Sequence, residues 1–159
     1  MTEPDDPRKN QLLACLPEAD WQRWKPLFEL VHLPVGKVLH EAGEEMPFVC
    51  FPTSGVVSLL YVLENGSSAE MAVVGCEGVI GISVFMGGNT TVNRAVVQSA
   101  GMGYRLSART IMRDFDTAGP VMHLMLRYIQ ALLTQMYQTA VRNRQRSLDQ
   151  QLCHWLLLS

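Results

Sequence analysis

The chain has 159 residues, 48% of them apolar, and a formal net charge of −2. That describes one globular domain with its own core, and the charge alone argues neither for nor against a nucleic-acid partner. No run approaches the ~20 apolar residues of a membrane helix, and the acidic, proline-bearing opening MTEPDDPRKN is neither a signal nor a transit peptide.

Residues 1–11 read as a disordered tail. From Asn10 to about Glu29 the apolar residues Leu12, Leu13, Leu16, Trp21, Trp24 and Leu27 fall at mixed three and four spacings, which predicts helix, restarted at Pro17. From about Phe28 to Leu106 the pattern is strand-like. Short β-branched or aromatic runs (HLPVGKVLHEAGE, FVCFPTSGVVSLLYVL, AEMAVVG, RAVVQSAGMGYRL) are separated by turn residues, the mark of a small sandwich or barrel. Asn65-Gly66 between two such runs predicts a hairpin with a type I′ turn. Ser107 opens a short helix to about Phe115.

Pro120 starts a long helix to about Arg144. Met122, Met125, Ile129, Leu132 and Met136 follow a 3-4-3-4 spacing, which reads as a coiled-coil seam for a second copy of the chain. Leu126, Leu133 and Ala140 lie beside it, and Leu133 is counted with the interface. The other reading is a helix buried in a monomer. Ser147 with Gln150 resembles a capping box for a further helix. The apolar end, with Leu152, Trp155, Leu156 and Leu158, reads as the start of a further domain cut short.

The cysteines Cys15, Cys50, Cys76 and Cys153 form no CxxC, so reduced thiols in a cytoplasmic protein are expected. His32, His40, His123 and His154 share no ligand spacing, and no metal site is expected. Arg142, Arg144 and Arg146 could touch DNA phosphate, or could offset the dipole of a helix C-terminus. No Ser/His/Asp or paired-carboxylate pattern suggests an enzyme.

Several of these stretches together resemble one family. LPVGKVLHEAGE is similar to the opening of a cyclic-nucleotide-binding β-roll, and FVCFPTSGVVSLLYVLENGSSAEMAVVGCEGVIG continues it up to the glycine before the phosphate cassette. The long helix and SLDQQLCHWLLL are similar to the dimer helix and hinge of Crp/Fnr-type bacterial transcription regulators. The resemblance implies a mainly β fold with flanking helices: a cyclic-nucleotide-binding-like double-stranded β-helix (β-roll) over residues 12–118, a dimerisation helix over 119–146, and a hinge over 147–159. It also implies a homodimer and a DNA-binding helix-turn-helix beyond the hinge, swung about Asp149. Some regulators of this type sense with haem, which makes Cys76 a candidate.

Within the cassette, Gly81 matches the family's glycine. Ile82 falls where a glutamate accepts the ribose 2′-hydroxyl, and Ser83 follows. Matching Ala95 to the family's alanine places Asn93 at the phosphate-binding arginine's position and Arg94 at the neighbouring hydroxyl's. A one-residue shift would restore Arg94 to the arginine's position but would turn its side chain to the other face. By the same matching Thr134, Gln138 and Thr139 would face a purine. Losing two charge-assisted contacts, each ~1.5–3 kcal/mol, weakens binding by about two to four powers of ten. The expectation is weak or no cyclic AMP binding, with any small-molecule effector either another anion at Arg94 or an apolar molecule against Ile82. Two alternatives stand: a cyclic-nucleotide-fold module of an enzyme or channel, and a structural dimer whose pocket is filled by Ile82, Val84 and Phe85. The effector or cofactor is not identified by these residues.

Overall fold

The computed structural model describes residues 6–88 and 90–158, without the side chains at 146, 147, 151, 154 and 158. Residues 1–5 of the expected tail, the loop residue Asn89, and the side chains of Arg146, Ser147, His154 and Leu158 therefore lie outside the described residues.

Residues 6–11, expected to belong to the tail, are folded. Pro7–Lys9 form a 3-10 turn capped by Asp6, and α1 (Gln11–Ala14) follows. Asn10 is fully buried. Its Oδ1 accepts from Leu12 N and Leu13 N at 3.0 and 3.3 Å. Its Nδ2 donates to Pro52 O and Gly78 O, both at 2.8 Å. One amide thus caps a helix and pins it to the end of a strand at Pro52 and to the loop at Gly78, which anchors a segment that composition alone makes look frayed. Pro17 sets off α2 (Glu18–Trp24). Trp24 packs on Phe28 and Phe51 with ring centroids 6.3 Å away.

Among the described residues, seven antiparallel strands form two sheets. The first has the order β1 (Glu29–Leu33), β7 (Gly101–Ser107), β3 (Phe48–Pro52). The second has the order β2 (Val38–His40), β6 (Asn93–Ser99), β4 (Val56–Val62), β5 (Ser68–Val74). Val49, Phe51 and Leu106 are fully buried on the face that meets the aromatic cluster of α2. The β4–β5 hairpin forms as expected, but its turn differs. Gly66 N donates to Leu63 O, Leu63 N donates to Ser67 O, and Gly66 has φ +86° while Asn65 does not have positive φ. That is a three-residue loop with glycine in the left-handed position, not the type I′ turn.

After β7, α3 (Ala108–Asp116) is tied to α2. Asp114, 7% exposed, accepts from the Trp24 indole and from Arg23 at 2.7 Å. The carboxylates of Asp114 and then Asp20 hold the Arg23 guanidinium above its usual range.

Helix α4 runs unbroken from Pro120 to Leu158, 39 residues. This corrects the expectation of a helix stop near Arg144 and a new start at Ser147. No glycine or second proline occurs between Val121 and Leu158, so a capping-box pattern alone does not end the helix. Asp149, the residue matched to the hinge, is exposed on the continuous helix. The apolar faces of α4 also differ from the seam assignment. Met125, Ile129 and Leu132 are 0%, 7% and 3% exposed and belong to this chain's own core, with Met122 and Met136 half-buried beside them. The exposed apolar stripe is Leu126, Leu133, Tyr137 and Val141, and beyond them Leu148, Leu152 and Trp155. A 3-4 spacing identifies an apolar face; it does not distinguish a core from a coiled-coil seam.

Candidate functional site: the cassette after β5

The segment between β5 and β6 is held from both sides. Cys50 N donates to Ile80 O at 3.0 Å and Ile80 N to Cys50 O at 2.8 Å, joining it to β3. Gly81 then takes φ +108°, a left-handed conformation that favours glycine. It starts the 3-10 turn Ile82–Val84. Ile82 is half-buried, Val84 and Phe85 are buried, and the Phe85 ring lies 5.5 Å from that of Phe115.

β6 places its residues alternately. Ala95 and Val97 are buried, and Asn93 shares their inward face. Asn93 Oδ1 is 2.9 Å from His40 Nε2. Arg94 points the other way, its Nε 2.7 Å from Glu41 Oε2, with side chains 40% and 36% exposed. Gly43 N donates to Thr91 O at 2.8 Å, so the β2–β3 loop is fastened over this edge twice. Among the residues matched to the family's pocket, Gly81, Ile82, Ser83 and Asn93 come together around one space; Ala95 lies buried behind it and Arg94 outside.

That space is small. It measures about 20 Å³ and is lined by His40, Met46, Ile82, Ser83 and Asn93 from the roll and by Leu132 and Met136 from α4. Such a volume holds one water molecule, whereas ligand pockets span ~300–1,000 Å³. Ser83 Oγ is buried with no hydrogen-bond partner among the described residues. The helix residues assigned to a purine are placed elsewhere. Thr134 and Gln138 are exposed and Thr139 is half-exposed. The Thr134 hydroxyl donates to Gln130 O at 3.0 Å, within its own helix. Leu132 and Met136, four residues apart, take the inward positions because the core sets the rotation of α4.

Two contacts between α4 and the roll escaped the sequence reading. The Tyr128 hydroxyl donates to Val79 O at 3.3 Å, and burial pushes that phenol well above its ordinary range. Gln135 Oε1 accepts from Val73 N at 2.7 Å on the free edge of β5. Gly78 was the available clue to the first: any side chain there would meet the Tyr128 ring. Nothing in the pattern around Gln135 marked the second.

Cys76 is half-buried. Among the described residues no group of three His, Cys, Asp or Glu side chains could hold a metal ion. Arg142 Nε reaches Gln138 O at 3.4 Å, and Arg142 and Arg144 are exposed. No described helix is long and apolar enough to cross a membrane.

No family model matches the sequence, and no curated protein matches it. Solved structures do. The sensor domain of the transcriptional regulator DNR from Pseudomonas aeruginosa has 20% identity and a TM-score of 0.62, over 82% of this chain and 86% of that one. The c-di-GMP responsive global regulator CLP from Xanthomonas campestris has 14% identity and a TM-score of 0.67, over 79% of this chain and 64% of that one. The regulatory subunit of a cAMP-independent protein kinase A from Trypanosoma brucei has 14% identity and a TM-score of 0.57, over 86% of this chain and 43% of that one. The chain thus spans under two thirds of the length of the latter two. It has the fold of solved cyclic-nucleotide-binding domains, shared by these transcription regulators and the kinase regulatory subunit, the β-roll with a long C-terminal helix that the resemblance to Crp/Fnr-type regulators implies.

Proposed function

We propose that the chain is the sensing and dimerisation part of a cytoplasmic, Crp/Fnr-type DNA-binding transcription regulator, without enzymatic activity, and that its cyclic-nucleotide pocket no longer takes a nucleotide. The observation that carries the second half is the ~20 Å³ space that remains among Ile82, Asn93, Leu132 and Met136. A nucleotide would have to displace the buried Leu132 and the half-buried Met136 of α4. It would then find the neutral Asn93 facing it, with the Arg94 guanidinium committed to Glu41 on the outer face. The fold itself occurs in a kinase subunit described as cAMP-independent, so independence from cyclic AMP is compatible with it.

Dimerisation rests on the exposed stripe of α4. Leu126, Leu133, Tyr137 and Val141 are 42–67% exposed and fall on one side at helical spacing, leaving a face that a second copy would cover. A shift of α4 against the roll would be passed to a helix-turn-helix following the helix. A regulatory module of another protein is the second reading, favoured by the kinase subunit's likeness.

Calorimetry with cyclic AMP and cyclic GMP tests the pocket. No heat of binding is expected. A dissociation constant in the low micromolar range or tighter, abolished by Asn93→Ala or Arg94→Ala, would overturn the reading. Sequence-specific DNA binding by residues 1–159 alone would overturn the division of labour.

A further inference from the structure

We propose that a second cavity, on the far side of His40 and Met46 from the cassette, is a binding site for an uncharged, largely apolar small molecule. It measures about 310 Å³ and opens between β2 and β3, which is the lower end of the range for ligand sites. Its apolar walls include Val31, Val38, Leu39, Phe48, Val49 and Ile80. The Cys50 thiol in the same wall is pushed up to about 12 by burial, the Lys37 ammonium lowering it less. It is therefore a neutral thiol at physiological pH and acts as one more apolar surface.

The charges around the opening choose the ligand class. Arg105 is already neutralised, with Nη2 2.5 Å from Glu29 Oε2, and its guanidinium lies over the Phe48 ring at 4.1 Å. Lys37, Glu44 and Glu45, all three exposed, also line the cavity. An anion would meet the two glutamates and a cation would meet Lys37, so a full charge of either sign meets a like charge at the opening. Lys37 Nζ donates to His32 O at 3.2 Å. An ammonium has three N–H bonds, so it can also donate to one carbonyl or hydroxyl of a ligand. The class is an apolar body with a single acceptor, such as a medium-chain alcohol, ketone or aryl ketone.

The cavity is separate from the cassette space, but the two share His40 and Met46 as walls. A molecule in the cavity therefore lies one side chain away from Met136 of α4. The binding claim does not rest on the regulatory reading, because a module of any other protein would present the same cavity.

The test is a fluorescence titration of the whole chain with N-phenyl-1-naphthylamine, an uncharged apolar dye. Saturable binding of about one dye per chain is expected. Val38→Trp, at a position 42% exposed and so tolerant of size, and Val31→Phe should each weaken it at least tenfold with little change in melting temperature. Trp155→Ala, on the exposed stripe of α4, should leave it unchanged. 1-Octanol should displace the dye at least tenfold better than octanoate. Amide shift changes on dye addition should centre on Val31, Val38 and Phe48. The proposal is overturned by absence of saturable binding, by loss of binding in Trp155→Ala instead of Val38→Trp, by shift changes centred on α4, or by octanoate competing as well as octanol.

Discussion

An alanine at Gly78 probes the junction between α4 and the cassette directly. A Cβ built there lies 2.7 Å from the Cε2 and Cζ atoms of Tyr128, where ordinary contact begins at 3.4 Å. Gly78 does not have positive φ, so the backbone accepts alanine and the clash stands alone. Tyr128 is 8% exposed and its hydroxyl donates to Val79 O; the ring can move aside only by giving up that bond and its packing. Overpacking costs about 1–3 kcal/mol and the hydrogen bond about 1 kcal/mol, a total of about 2–4 kcal/mol. For a domain of this size each kcal/mol lowers the melting temperature by roughly 2–4 °C, so Gly78→Ala should melt about 4–16 °C lower by calorimetry at fixed protein concentration. Tyr128→Phe removes the hydroxyl oxygen, which also clashes, but keeps Cε2 and Cζ, and should rescue it only in part. Tyr128→Leu removes them, and the double variant should be less destabilised than the sum of the singles by about 1–3 kcal/mol. An unchanged melting temperature for Gly78→Ala, or strict additivity in the double variant, would refute the claim that this contact locks α4 to the roll.

Adjacent leucines on α4 should behave oppositely. Leu132→Ala, at 3% exposure, should cost about 2.7–5 kcal/mol, and charges at Ile129 and Leu132 should unfold the chain. Leu133→Ala, at 42% exposure, should leave the protomer stable while weakening self-association in sedimentation velocity; stable monomers from Leu132→Ala would contradict this assignment. Arg94→Ala removes a pair whose side chains are 40% and 36% exposed and should cost at most ~1 kcal/mol, as read by denaturant unfolding; a larger loss would mean Arg94 does more than pair with Glu41. Among the thiols, exposed Cys15 and Cys153 should react with Ellman's reagent at pH 8, while Cys50 stays protected until the chain unfolds. Because burial raises the Cys50 thiol from 9.0 to about 12, its neutral form is favoured in the folded state. That stability is fully present below about pH 9 and is lost as pH rises towards 12, so Cys50→Ala should flatten the fall in stability above pH 9.

Much of the architecture was legible because it depends on local pattern. Alternation between Phe28 and Leu106, the turn glycines and Pro120 imply strands, turns and a long helix through backbone sterics and side-chain period. The order of those elements was enough to suggest the β-roll, and the alternation along β6 already implied that Asn93 and Arg94 face opposite ways. Other features depend on what stands across a gap in space. The 3-4 spacing of Met125, Ile129 and Leu132 is the same for a core and for a seam, and only the packing of α4 on the roll makes them core and leaves Leu126 and Leu133 outside. Thr134 and Gln138 looked suited to a ligand by type, yet the rotation that buries Met125 and Leu132 turns them to solvent and brings Met136 to the cassette. Asn10 looked like part of a tail until its amide met Pro52 O and Gly78 O, 42 and 68 residues away. Local pattern determines which faces are apolar; the tertiary structure alone decides what each face meets, because that choice is made by volume and hydrogen bonding between residues far apart in the chain.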